Sequence, residues 1–312
     1  MGVQQPSIST AEERFSFGEN WQRFLLRLDE AAILRAEASL RSLLGRDRLD
    51  RLTFLDIGSG SGLLSLAAWR LGAHVRSFDY DLRSVACTAS LKARYAPADA
   101  EWSVERGSIL DRGYVTKLGR FDLVYSWGVL HHTGEMWRAI EMACSCVAAD
   151  GVLALAIYND QGRRSRYWAR VKRLYNRLPE RLRFLVLWPA ALRLWGPTVL
   201  RDTARGDPLR SWRSYGAERG MSPWRDVVDW VGGWPFEVAT PEAVFDFCRE
   251  RGFILERLRT CGGGLGCNEF VFRRAAVGAS GDKIPPAALP HGECEASDST
   301  ASVASTMLST EK

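Results

Sequence analysis

The sequence predicts a doubly wound α/β domain with a mostly parallel sheet. Short apolar runs alternate with helix-length segments from residue 52 to residue 158. A loop of alternating glycines, Asp56-Ile57-Gly58-Ser59-Gly60-Ser61-Gly62, joins the first run to the first helix. The last run, 151–158, is almost wholly apolar, as a strand buried on both faces must be.

Each element follows from its pattern. Residues 1–50 read as a helical segment: Thr10 and Glu13 have capping-box spacing, apolar residues from Trp21 to Leu44 recur at helical spacing, and Gly45 ends the segment. Strands are expected at 52–57, 74–78, 102–106, 121–126 and 151–158. Helices are expected at 63–71, 82–95 (stopped by Pro97) and 135–147. Such alternation implies parallel strands joined by right-handed crossovers. The pattern breaks at 160–235, a stretch rich in Arg and Trp with helical periodicity. A helix at 241–251 follows, then runs at 253–259 and 269–272 that read as an antiparallel pair joined through 261–267. The organisation is therefore an N-terminal helical lid (1–50), a core (51–159), a helical cover (160–240), a helix and strand pair completing the core (241–274), and a tail (275–312). The tail has too few large apolar residues to offset its ordering entropy, so disorder is expected there.

Composition sets outer limits. The 312 residues are 46% hydrophobic and 25% charged, with a net charge of +5, which suits a soluble enzyme better than a dedicated nucleic-acid binder. Seven cysteines show no paired metal-ligand spacing, so free thiols in a reducing cytoplasm are expected and a metal is not. No run approaches the roughly 18 apolar residues that span a bilayer.

The glycine loop carries the chemistry. Alternate glycines let the backbone turn tightly and approach a ligand, and the helix that follows offers free N–H groups to an anion. That anion is either a pyrophosphate or a carboxylate. A dinucleotide fingerprint needs a third glycine where Leu63 or Ser65 stands, and a P-loop needs Gly-Lys-Ser/Thr, which is absent. Asp56 before the glycines repels a pyrophosphate but suits the α-ammonium of S-adenosyl-L-methionine. Asp79, at the tip of the second strand, stands where doubly wound folds read a ribose diol.

With these residues in view, 52–158 resembles the class I S-adenosylmethionine-dependent methyltransferase family, and especially its small-molecule, quinone-biosynthesis-like branch. Asp56 to Gly62 matches the family's first motif and Asp79 its ribose-binding acid. Phe121-Asp122-Leu123-Val124 and Gly128-Val129-Leu130-His131-His132 match the fourth strand and the segment after it. The resemblance implies a Rossmann-like seven-stranded sheet with an antiparallel last strand. It places the cofactor against Asp56, Gly58, Ser59, Gly60 and Gly62, against Asp79 and Tyr80, and against Trp127. The family often has Gly-Asp after strand three; here the segment is Gly107-Ser108-Ile109-Leu110-Asp111. Ser108 with Ile109, or else Asp111, is left to meet the adenine.

Methyl transfer needs alignment and exclusion of water, and a hydroxyl acceptor also benefits from a base. His131 and His132 follow strand four at the ligand-binding edge; on an extended segment they point in opposite directions, so at most one faces an acceptor. Tyr158, Asn159 and Asp160 end strand five at the same edge. The segment Phe17 to Trp21 either folds over the cofactor or packs as an ordinary helix start. Glu237 is a candidate acceptor contact. The Trp and Arg residues of 160–235 suit a small-molecule or lipid-like acceptor, or contact with a membrane surface. An RNA- or protein-directed methyltransferase and a non-catalytic cofactor-binding module are the competing readings. The chain lacks a recognisable RNA module and an Asn-Pro-Pro-Tyr-type motif, which argues against nucleic acid.

Overall fold

A computed structural model describes residues 18–26, 28–219 and 222–275. The expected capping box at Thr10 and Glu13, Phe17, and the tail from 276 onward lie outside the described residues.

Seven strands form one sheet: β1 (Thr53–Ile57), β2 (His74–Asp79), β3 (Trp102–Arg106), β4 (Phe121–Trp127), β5 (Val147–Tyr158), β6 (Phe253–Arg259) and β7 (Cys267–Arg274). Their order is β3-β2-β1-β4-β5-β7-β6. The first five run parallel, and β7 lies antiparallel between β5 and β6. The order reverses at β1 and β4, so a crevice opens at the carboxyl ends of those two strands.

The helices are α1 (Gly18–Leu25), α2 (Glu30–Leu44), α3 (Leu63–Arg70), α4 (Leu82–Tyr95), α5 (Arg112–Leu118) and α6 (Met136–Ser145). Then come α7 (Arg163–Arg177), α8 (Phe184–Ala204), α9 (Arg210–Arg219), α10 (Pro223–Gly232) and α11 (Pro241–Arg249). Local chemistry sets the boundaries. Asp29 caps α2 by accepting from Ala32 N at 2.7 Å, and Gly45 closes it in the left-handed region. Pro97 holds Ala96 extended, which ends α4.

One apolar core fills each face of the sheet. Leu55, Ile57, Val124 and Leu155 face α6 and α11 residues such as Ile140 and Val244. Phe54, Leu123 and Tyr125 face α2 and α3 residues such as Ile33 and Leu66. A third core lies inside the 160–235 segment, where Trp168, Leu187, Val227 and Trp230 pack together and reach Tyr158. No described helix is long and apolar enough to cross a membrane. Six described cysteines are free thiols, Cys261 and Cys267 among them.

Candidate active site

The glycine loop is locked from beneath. Gly58 and Ser59 donate backbone N–H to Phe78 O at 2.9 and 3.1 Å. Gly62 N donates to Ser59 O at 2.8 Å, closing the turn. Gly58 has φ +77°, and a Cβ there would lie 2.4 Å from Val129 Cγ1; Gly62 has φ +80°, with Thr88 Cα 2.9 Å from its would-be Cβ. Both positions therefore require glycine on conformation and on space. The loop lies flush on the segment after β4 and on α4, with its outer side turned to the crevice.

Asp56 stands next to last in β1. It is buried beneath the loop rather than lining the crevice. Its Oδ2 accepts from Ser65 Oγ at 2.5 Å, Ser65 Oγ accepts from Ser77 Oγ at 2.8 Å, and Ser77 Oγ accepts from Trp102 Nε1 at 2.8 Å. This chain ties β1 to α3, β2 and β3. Asp56 supports the loop from below. Burial, opposed by the Ser65 bond, pushes its carboxyl up to about 7.

Asp79 stands at the crevice as expected. Its Oδ2 accepts from Gly60 N at 3.0 Å and its Oδ1 from Asp81 N at 2.9 Å. Burial raises it to about 6, against the lowering effect of those backbone donors. Tyr80 is 47% exposed, with the Arg106 guanidinium 5.8 Å from its ring centre. Across the crevice, Trp127 stacks on Tyr125 at 5.5 Å, and Ser126 Oγ holds β4 to β1 through Ile57 O at 3.1 Å.

The adenine alternatives separate. Asp111 caps α5, accepting from Tyr114 N at 3.1 Å through Oδ1. Ser108 Oγ accepts from Leu110 N at 3.3 Å, and Ile109 is buried against the core under the turn. On the opposite side, α1 lies on α4 with Gly18 N bonded to Asp81 Oδ2 at 3.1 Å. Trp21 reaches the loop: a Cβ on Gly60 would come within 3.1 Å of Trp21 Nε1. The first helix thus covers the mouth of the glycine loop.

These acids give cofactor binding a pH dependence with a definite sign. Both hold protons that the unfolded chain releases near its ordinary value of 3.8. As pH rises from about 4 to about 7, the ligand-free fold therefore loses stability. Cofactor affinity is expected to move the other way, because an ionised Asp79 can accept from two hydroxyls with both oxygens, whereas protonation turns one of those oxygens into a donor. Titration with S-adenosylhomocysteine is expected to show constant affinity above pH 7, weakening by up to about tenfold per unit below about pH 6. Affinity that is flat from pH 5 to 8 would remove Asp79 from ligand contact.

The second group gathers at the carboxyl ends of β4 and β5. Leu130–His132 is a 3-10 turn, not an extended segment. That corrects the expectation of opposed histidines: the His131 and His132 ring centres are 4.6 Å apart, and both rings meet Tyr158, at 3.9 and 5.5 Å. A 3-10 turn spaces successive side chains by about 120°, so both can share one side.

Hydrogen bonds fix the tautomers. His131 Nδ1 accepts Tyr158 N–H at 3.3 Å, so its proton sits on Nε2, which is buried without a partner among the described residues. His132 Nδ1 lies 2.6 Å from Pro235 O. A carbonyl only accepts, so Nδ1 carries the proton and Nε2 the lone pair. Burial, aided by Lys172, holds His131 well below the usual range and lowers His132 to about 3. Both rings are neutral at pH 7.

Three neighbouring candidates make structural hydrogen bonds. Asn159 Oδ1 accepts from Asn268 Nδ2 at 3.0 Å, fixing β5 to the β7 side. Asp160 Oδ1 accepts from Gly162 N at 2.7 Å, turning the chain into α7. Glu237 receives Met136 N on both oxygens, at 3.2 and 3.1 Å, so it caps α6 from a hundred residues away and is not an acceptor contact.

Sequence reasoning missed Lys172. It is fully buried, and its Nζ donates to Trp230 O near the carboxyl end of α10. The same Nζ sits 4.1 Å from the Trp230 ring centre and 4.7 Å from that of Phe236. One turn on, Asn176 Nδ2 donates to Gly232 O at 2.7 Å. Two side chains of α7 thus satisfy carbonyls that the end of α10 leaves open. The spacing of Trp168, Lys172 and Tyr175 held the signal, since it puts Lys172 on the apolar stripe of its helix. Trp230 and Phe236 contact Tyr158 at 5.4 and 5.3 Å, so the cover meets the crevice through these rings. No group of three His, Cys, Asp or Glu among the described residues is arranged to hold a metal.

A reversed parallel sheet, a glycine loop at its switch point and an acid on the next strand define the class I methyltransferase architecture. The chain belongs to the methyltransferase domain family, whose sequence profile matches residues 19–190, more than half its length. It is 34% identical over 125 residues to a ubiquinone biosynthesis O-methyltransferase of Methylobacterium sp. (strain 4-46), covering 38% of this chain and 46% of that protein. It is 29% identical over 121 residues to the corresponding protein of Caulobacter sp. (strain K31), covering 37% and 44%. The chain spans less than half the length of these relatives. Among solved structures, the magnesium protoporphyrin IX methyltransferase of Synechocystis PCC 6803 with bound S-adenosylmethionine aligns with TM-score 0.50 at 12% identity, over 86% of this chain and 100% of that one. At that identity the likeness is one of fold.

Proposed function

We propose that this chain transfers a methyl group from S-adenosyl-L-methionine to an oxygen of a small, amphipathic acceptor in the cytoplasm. The observation that carries the reading is the gathering of the locked glycine loop, Asp79 and the His131–His132–Tyr158 group at the carboxyl ends of neighbouring strands. The residues fit the cofactor. Gly58 and Gly62 leave no room for side chains. The cofactor supplies an electrophilic methyl group and departs as a thioether.

The protein's own residues do the rest. Trp21 on α1 closes over the loop as a lid and sheds water from it. Tyr158, Trp230 and Phe236 wall the acceptor side with aromatic surface. Tyr158 N and Pro235 O hold the histidines in fixed tautomers. His131 presents an N–H and His132 a lone pair. With its basicity lowered to about 3, His132 takes a proton late, when methylation has made the acceptor hydroxyl strongly acidic. The names of the curated relatives support oxygen over nitrogen.

Incubation with methyl-labelled cofactor and a set of phenols, with and without alkyl chains, tests this. Label is expected in an ether, with alkylated phenols preferred. His132→Ala is expected to lower kcat about 100-fold while leaving affinity for S-adenosylhomocysteine unchanged. Label appearing only on amines, or on nothing despite tight cofactor binding, overturns the reading.

A further inference from the structure

We propose that α8 docks the protein on an anionic lipid surface. The helix is mostly apolar, with Arg193, Arg201 and Asp202 its charged residues, although it lies on the outside of the molecule. One side enters the third core through Leu187, Ala190 and Ala191. The other faces outward with Phe184 51%, Leu185 56%, Trp188 63%, Leu192 74% and Leu200 72% exposed. Phe184, Trp188, Leu192 and Leu200 recur in steps of four or eight, so they form one row along the helix. A surface helix of a water-facing protein carries charge on that row. Here the row is unbroken by charge, and contiguous apolar surface of this kind marks an interaction site.

Charge selects the occupant. Residues 160–235 hold sixteen Lys and Arg against seven Asp and Glu, a surplus of nine in a chain whose net charge is +5. No acidic residue lies between Arg181 and Arg201. Arg181 and Arg193 are both exposed, and neither makes an ion pair among the described residues. Packing this row on a second copy would bring two such surpluses together. An anionic headgroup layer instead receives the arginines while the row sinks into the acyl boundary, where exposed Trp is favoured. The arrangement also has a use. The inner side of α8 shares its core with Trp230, which touches Tyr158, so a docked helix lies one layer of side chains from the crevice.

Co-flotation of the full chain, with no acceptor present, tests the surface separately from the reaction. The vesicles are phosphatidylcholine alone, and phosphatidylcholine mixed one to one with phosphatidylglycerol. The protein is expected to float with the mixed vesicles, to float poorly with neutral ones, and to be released by salt. Trp188→Asp and Leu192→Asp should each weaken binding by more than about tenfold. Arg181→Gln and Arg193→Gln should each weaken it by about fivefold. All four side chains are exposed, so thermal melts should be unchanged. Failure of the wild type to bind mixed vesicles overturns the proposal. So does equal binding by the aspartate variants, or a concentration-dependent dimer that the same variants abolish, which would make a second copy the occupant.

Discussion

Asp79→Ala is expected to remove cofactor binding while leaving a folded protein. The carboxylate accepts from Gly60 N and Asp81 N at once, so it both shapes the loop and, on the proposed reading, receives a ribose diol. Alanine leaves two backbone donors without partners and the diol without an acceptor. Hydrogen bonds to a charged group contribute about 1.5–3 kcal/mol each, so losing two costs more than about a hundredfold in affinity. Asp79→Asn keeps one acceptor oxygen and the shape of the loop, and should lose about tenfold. Calorimetric titration with S-adenosylhomocysteine reads both. Asp79 belongs to neither sheet core, so far-ultraviolet dichroism should be unaltered. An alanine variant binding within threefold of wild type would move the cofactor site elsewhere.

The features legible in the sequence were those decided by near neighbours. The runs at 52–57 and 102–106, and the helix at 82–95, match the structure closely, because Gly, Pro and Asp punctuate them within a few residues. The glycine loop and Asp79 were equally legible, since their geometry depends on one βα turn and the tip of one strand. The short helix α5 was not expected. Its seven residues include Gly113, Val115 and Thr116, all weak helix formers, and it is held by the Asp111 cap and burial of Val115 and Leu118. The start of β5 was also set too late. Ala148, Ala149 and Asp150 lie before the expected strand, yet β5 runs through them, with Asp150 at φ +57° and the register with β4 shifted between Phe121 and Leu123.

What could not be read was partnership across distance. Glu237, Asn159 and Asp160 all looked available for chemistry at a sheet edge. Each is committed to a backbone or amide group, and for Glu237 and Asn159 that partner lies about a hundred residues away. Asp56 is placed by its motif, but its burial beneath the loop is a property of the sheet and could not be read from the motif. The same applies to Lys172, whose partners are on α10.

Lys172 gives the second large effect. Lys172→Glu places an anion against the Trp230 carbonyl, at the negative end of α10, where a cation is favoured. A buried carboxylate without a partner costs several kcal/mol, so the cover is expected not to fold, and tryptophan fluorescence should report its loss. Lys172→Ala removes the same bond, opens a cavity between Trp230 and Phe236, and should cost about 2–5 kcal/mol. Lys172→Met keeps the volume and removes the buried amine, so its cost should stay within about 1.5 kcal/mol. The pH profile separates charge from packing. Burial lowers the Lys172 pKa well below 10.5, so over the window up to that value the unfolded chain holds a proton that the folded protein lacks. The contribution of Lys172 to stability therefore rises with pH there, and the difference between wild type and Lys172→Met should grow in favour of wild type from neutral pH toward pH 10. A methionine variant as unstable as the alanine variant, or a glutamate variant with a wild-type melt, would show that the cover is not held to α10 through Lys172 Nζ. The aromatic wall at Tyr158 would then need another support.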